Sequence, residues 1–280
     1  MRDLDPGDLA RRLTLADLVL RPIGIGWLRP SVLALAVLGL VLPSLARRSG
    51  FWLALALLAA WRVLGTWPLA DNHAYLLGYW CLALAIGSLD VDPRPALAWS
   101  GRVLIGLVFA LAVLSKASSP DYLDGRFFRV TLVTDDRLAH FARLAGGLSA
   151  EELLDRRALL MEHADGATVR DDATAWPESA RFRAVAAAAT FGSFGWEALV
   201  ALAFLSPLGS ALSRARDPLL IAFCAGTYLI APVAGFGWLL IALGVAQTEV
   251  ERWRTRAAYL AAFGLVFLYR EIPWARIALG

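Results

Sequence analysis

Long apolar runs alternate with short clusters of Arg, Asp, Pro and Gly along this 280-residue chain. The runs lie at roughly 31–46, 51–68, 73–89, 99–115, 187–209, 218–246 and 256–272. A helix needs about 20 residues to cross a bilayer and about 17 at the least. The first run is therefore marginal, and it contains Pro43. The 218–246 run is long and broken by Pro232, Gly235 and Gly237, so it forms either one long kinked helix or a pair of half-helices. None of the runs alternates polar and apolar residues as barrel strands do. Only helices and closed barrels satisfy their backbone in lipid. The pattern thus predicts an all-α fold, a polytopic transmembrane bundle of roughly six to eight spans in a single domain, 1–280. Residues 6–20 predict an amphipathic helix with Leu9, Leu13, Leu15, Leu18 and Val19 toward one side, lying at the membrane surface. Residues 117–186 form one polar insertion, too short and too polar to read as an independent domain. It carries helical patterns near 136–146 and 149–163, the second opened by the capping box Ser149-Ala-Glu-Glu152.

The composition, 59 % hydrophobic with a net charge of +3, agrees with a bilayer as the chain's partner. Its arginines cluster near run ends as interfacial anchors. They do not form the basic stripe interleaved with aromatics that a nucleic-acid groove needs. Arg2, Arg11, Arg12, Arg21 and Arg29 surround too short an apolar stretch for a cleavable signal peptide, so the early runs are expected to direct insertion. Short-loop arginines set orientation. Arg47-Arg48, Arg94 with Arg102, and Arg214 with Arg216 mark the cytoplasmic side. The loop from Pro68 to His73 has no basic residue and faces outward, as does 117–186. Arg252, Arg254 and Arg256 also ask to be inside, which favours two half-helices in 218–246. Arg11, Arg12, Arg21 and Arg29 conflict with an outside N-terminus, a conflict that a re-entrant or interfacial first run resolves. Cys81 and Cys224 fall inside apolar runs and read as buried small hydrophobes. With no CxxC pair and no Cys/His ligand spacing, no metal site is expected.

Charge chemistry narrows to a few residues. Lys116 is the only lysine; every other basic residue is arginine. It ends the run Val103-LIGLVFALAVLS-Lys116. When desolvated, a lysine, unlike an arginine, can give up its proton and become a neutral base. The run from His73 goes inward and the next comes back out to Lys116, each about 24 Å long at 1.5 Å per residue. Asn72, His73 and Lys116 are therefore expected on one outward face, with Asn72 capping its helix. The alternative for Lys116 is a side chain that snorkels to the headgroups, and for His73 an ordinary interfacial position. Glu197 lies near the middle of the 187–209 run, where a carboxylate is expensive. It is either protonated and hydrogen-bonded or paired with Arg62, and Gly192, Ser193 and Gly195 beside it suit close helix packing or a ligand pocket. His140 and His163 read as solvated.

Asn72-His73-Ala74-Tyr75-Leu76 resembles the NHxYL motif of the HTTM family, the membrane domain shared with vitamin K-dependent gamma-carboxylases. Gly106-LVFALAVLS-Lys116-ASSP-Asp121-Tyr122-Leu123-Asp124-Gly125 is similar to that family's second signature, an apolar span ending in lysine before an Asp-aromatic-aliphatic-x-Gly turn, here with one residue inserted. The resemblance covers residues 70–130 and does not extend to the large lumenal β-rich region of the carboxylases, so it does not imply recognition of a propeptide-bearing protein. It implies Lys116 as the base that deprotonates a hydroquinone, with His73 assisting. Alongside Glu197, the site would draw on Asn72, Tyr75, Asp121 and Tyr122, and Tyr79, Trp80, Phe127 and Phe128 could help to sandwich a ring. The implied cofactor is reduced menaquinone or vitamin K hydroquinone. The implied partners are the lipid bilayer, an isoprenoid quinone and a protein or peptide on the extracytoplasmic side. Heavy Arg/Ala/Leu usage points to a bacterial cytoplasmic membrane. Two rival expectations stand beside this one: a non-catalytic accessory protein in maturation, and a small transporter using Glu197 and the broken 218–246 segment.

Overall fold

A computed structural model describes residues 5–68, 70–164, 178–231 and 233–271. Among these, every regular element is helical. In chain order they are α1 (Pro6–Leu20), α2 (Leu28–Val41), α3 (Ser49–Thr66), α4 (Asn72–Gly87), α5 (Arg94–Ala117), α6 (Pro120–Leu123), α7 (Arg126–Thr134), a 3-10 turn (Asp136–Leu138), α8 (Ala139–Leu144), α9 (Ala150–Ala164), α10 (Ala180–Leu205), α11 (Ala211–Arg214), α12 (Arg216–Ile230), α13 (Ala234–Ala246) and α14 (Trp253–Glu271). Among the described residues, three helices are long and apolar enough to cross a membrane: α3, α5 and α10. The chain divides into two compact units. The first comprises Met1–Phe109, Val200–Leu229 and Val233–Gly280; the second comprises Ala110–Leu199 with Ile230–Pro232.

In the first unit, α1 starts where its sequence says it should. Asp5 accepts from the Asp8 N–H at 2.9 Å, and Pro6 fills the first helical position, where a missing N–H costs nothing. Ala10, Leu13, Leu15 and Leu18 are buried, and α1 packs on α13 and α2, so protein covers the face expected at the membrane surface. Thr14 accepts from Trp80 Nε1 at 2.9 Å and thereby ties α1 to α4. Helix α2 stops at Val41 because Leu42 precedes Pro43 and has left the helical region, as residues before proline do.

The 218–246 run becomes two helices, α12 and α13; Pro232 itself lies outside the described residues. From Trp238 to Ala246 every residue of α13 is buried. A 13-residue helix apolar all round belongs in a protein core rather than across a bilayer. It meets α5 closely at Gly101, where a Cβ would lie 2.9 Å from the Leu243 carbonyl oxygen. Below it, a buried polar network joins α12 to α14. Arg216 Nε donates to Gln247 Oε1 at 2.7 Å, Gln247 Nε2 donates to Asp217 Oδ1, and Tyr259 donates to the same Oδ1 at 3.0 Å. Buried Arg256 closes the α13–α14 turn by donating to the Glu249 and Val250 carbonyls.

The second unit contains most of the polar insertion, and it has a hydrophobic core of its own. Leu132, Val133, Leu138, Ala142, Leu148 and Leu153 pack with Phe182 and Ala186 of α10. The stretch that read as too polar for independence therefore folds around a real core. Gly125, at φ 77°, makes the left-handed turn into α7 that only glycine adopts freely. Asp124 Oδ1 holds the Arg126 N–H there at 2.8 Å. At α9, Ser149 N–H donates to Glu152 Oε2 at 2.7 Å and Glu152 N–H to Ser149 Oγ at 3.0 Å, the reciprocal pair of a capping box. Residues 165–177 and the side chain of His163 lie outside the described residues, and His140 is exposed.

Candidate functional site

Lys116 occupies the last turn of α5, and Glu197 lies in the middle of α10. Both belong to the second unit. Lys116 Nζ is 2.5 Å from Glu197 Oε1, with 23 % and 13 % of the two side chains exposed. So little exposure leaves the pair poorly screened by water. Glu197 thus takes its cation from Lys116, 81 residues away, and not from Arg62, which belongs to the first unit. The other carboxylate oxygen, Oε2, is buried and has no hydrogen-bond partner. Gly192 and Gly195 are exposed, and a Cβ added at either would meet nothing within 4 Å, but at five and two residues from Glu197 they lie on other faces of α10.

Tyr122 completes the group. Lys116 Nζ sits 5.2 Å from its ring centroid, within cation–π range. The Tyr122 ring is 3 % exposed. Its hydroxyl donates to the Thr190 carbonyl at 3.1 Å and shares a 2.5 Å hydrogen bond with Ser193 Oγ. That hydroxyl is therefore already used in holding α6 to α10, and only the ring face is turned to the ammonium. Phe127 and Phe128 stack around the ring at 5.5 and 5.9 Å. Asp121 is exposed and meets Arg126 at 3.5 Å, a surface contact.

The structure therefore brings together Lys116, Glu197 and Tyr122. Thr190 and Ser193 were not foreseen as their supports. Ser193 had been noticed only as a small residue, and nothing in the sequence tied Thr190 to Tyr122.

Asn72, His73 and Tyr75 belong to α4 in the first unit. Asn72 does not cap the helix. It is the first helical residue, the N-cap is Asp71, and no side chain caps that end. The Asp71 carbonyl already accepts from the Ala74 N–H at 2.9 Å, so the helical bonding begins one residue earlier than the sequence suggested. Tyr75 is half-buried, Tyr79 is exposed, and Trp80 is fully enclosed by the first unit's core, so Trp80 has no face left for a ligand ring. His73 Nε2 is 3.9 Å from Asp71 Oδ2. Its imidazole borders Gly235, as does Arg21 Nη1, and Arg21 pairs with Asp17. Burial pushes the Asp17 carboxyl up to about 6 while Arg21 pulls it down. Cys81 and Cys224 are free and buried. Among the described residues, no group of three or more His, Cys, Asp or Glu side chains is placed to hold a metal ion.

Compared with known proteins, the chain matches no family model, no curated protein and no solved structure.

Proposed function

We propose that this chain is a multi-pass helical membrane protein of the HTTM, carboxylase-like kind, seated in a bacterial cytoplasmic membrane. Its Lys116–Glu197 pair deprotonates a hydroxyl of a membrane-borne quinol such as reduced menaquinone. The six to eight crossings that the apolar runs predict need α2, α4, α12 and α14 to join the three long helices, with α13 kept in the core. The observation that carries the reading is the 2.5 Å contact between Lys116 Nζ and Glu197 Oε1, with Oε2 buried and unpartnered.

The chemistry follows from where that proton can sit. A buried ion pair is costly to desolvate, and a low-dielectric site favours neutral forms. Moving one proton along the 2.5 Å contact converts ammonium and carboxylate into amine and carboxylic acid, with no change in net charge. Glu197 thus stores the proton that Lys116 must lose to act as a base. A quinol hydroxyl then gives its proton to the neutral amine, leaving a quinolate beside the restored ammonium. The pair returns to its starting charge when the acid proton passes to water. The apolar tail of the substrate stays in lipid throughout, which suits a base at a span end. Tyr122 supports the ammonium with its ring face.

The test is consumption of reduced menaquinone or vitamin K hydroquinone by the purified chain in the presence of oxygen, for wild type and Lys116→Arg. Arginine keeps the ion pair but cannot form the neutral amine. Turnover by wild type that Lys116→Arg abolishes supports the reading. No turnover by wild type, or equal turnover by the variant, refutes it.

A further inference from the structure

Lys116 is held by more than its carboxylate. A lysine arm is long and flexible, and fixing it costs rotamer freedom. A base acts efficiently only when it is kept in the geometry of attack. Glu197 Oε1 fixes the nitrogen from one side. From another, the face of the Tyr122 ring lies 5.2 Å from the same nitrogen, where a ring attracts an ammonium.

Tyr122 belongs to α6, which has four residues, too few to hold a side chain in place by itself. Its position is set from α10. The Tyr122 hydroxyl bonds the Thr190 carbonyl at 3.1 Å and shares a 2.5 Å hydrogen bond with Ser193 Oγ. Thr190 is fully buried, and a Cβ at Gly125, just past α6, would meet its Oγ1 at 3.7 Å. Ser193 Oγ is itself anchored, donating to the Ala189 carbonyl one turn back at 2.6 Å. Of the two partners of the phenol, Thr190 offers its backbone and Ser193 offers a side chain. Ser193 and Glu197 stand four residues apart and share a face of α10. That face therefore reaches Lys116 twice, directly through the carboxylate and indirectly through the ring. All of these residues belong to the second unit.

We propose that Ser193 is a positioning residue for the Lys116 amine, acting through the Tyr122 ring that it pins against α10. Ser193 touches neither the amine nor the substrate. It sets the place of the ring, and the ring face with Glu197 confines the amine from two sides. The effect on turnover rests on the reading of Lys116 as the reacting base, whereas the effect on geometry does not.

The test uses the full chain in detergent, with lysine isotopically labelled at Cε. Lys116 is the only lysine, so the nuclear magnetic resonance spectrum holds one such signal. An aromatic face shifts nearby protons upfield, and that signature reads the place of the ring, which a loss of stability alone does not move. Ser193→Ala should abolish the upfield shift. Tyr122→Phe keeps the ring without the hydroxyl and should abolish it too. Ser193→Thr keeps the hydroxyl and should keep the shift. In quinol turnover, Ser193→Ala should lower kcat about fivefold, the scale of one neutral hydrogen bond, with KM unchanged. A shift retained in Ser193→Ala, or lost equally in Ser193→Thr, overturns the proposal. A shift that Ser193→Ala abolishes in a chain without quinol turnover supports the positioning role and refutes the quinol reading alone.

Discussion

Two buried carboxylates make an instructive pair. Asp217, in the first unit, is 1 % exposed. Its Oδ1 receives Gln247 and Tyr259, and its Oδ2 lies 3.0 Å from Arg252 Nη1 in an ion pair. The Oδ2 contact is an ion pair and not an aligned hydrogen bond, since no hydrogen bond reaches that atom. Glu197, in the second unit, has one oxygen on Lys116 and the other on nothing. Both acids sit among helices, yet one is surrounded by partners from three directions and the other has one buried oxygen without any. An acid with a donor or a cation on each oxygen locks helices together, whereas an acid with one oxygen left unpartnered has room for a substrate's proton.

That contrast can be broken or sharpened by experiment. The largest effect is expected at Asp217. Asp217→Ala strands Gln247, Tyr259 and Arg252, and should cost about 3–5 kcal/mol in thermal or denaturant unfolding in detergent. A loss below 1 kcal/mol would remove the contrast. Next, Lys116→Arg should lower quinol turnover by about a hundredfold, the smaller end of what a positioned base contributes. The melting temperature should stay where it is, because the ion pair with Glu197 survives. A parallel fall in both would instead class the pair with Asp217.

Smaller effects test the second unit's own fold. Ser149→Ala removes one half of the capping box at α9 and should cost about 1 kcal/mol, visible as faster amide exchange confined to the start of that helix. The smallest effect concerns Asp135. The hydrogen bond from Arg137 is the largest influence holding its carboxyl below the ordinary carboxylate range, with the Arg137 backbone and charge adding to it against a burial effect in the other direction. A depressed acid stabilises the fold above its unfolded value and loses that contribution as pH falls through the folded one. Exchange in the 3-10 turn after Asp135, taken relative to the intrinsic rate at each pH, should therefore be steady at neutral pH and quicken only below about pH 4. Quickening near pH 6 would point to a different group.

How much of this was legible depended on whether a feature is local. Pro6 at the start of the 6–20 helix and Ser149 with Glu152 at the start of α9 were each read from a few neighbouring residues, whereas α2 ends at Val41, inside a run read as 31–46. The break between α12 and α13 was likewise marked in the sequence by Pro232, while Gly235 and Gly237 fall inside α13. The partner of Glu197 was not legible, because the choice between Arg62 and Lys116 turns on helix rotation and on contacts 81 residues apart. The core of the second unit was hidden for another reason. Leu132 and Val133 come from α7, a segment too short for a helical period to stand out, and the pattern near 136–146 did not show that Leu138 and Ala142 would pack against it. Residues of the first signature, Asn72, His73 and Tyr75, and of the second, Lys116 and Tyr122, were all legible as candidates. Their neighbours were not, since a linear motif carries no record of what faces it.

The solitary lysine has a practical consequence. Apart from the α-amino group, an acylating reagent finds one amine in the whole polypeptide, and that amine belongs to the centre proposed for proton transfer. Its rate of labelling, followed as a single mass increment, would report directly on how often the contact with Glu197 opens. A ligand seated over Lys116 would register as slower acylation, so the molecule carries its own occupancy reporter without an added tag.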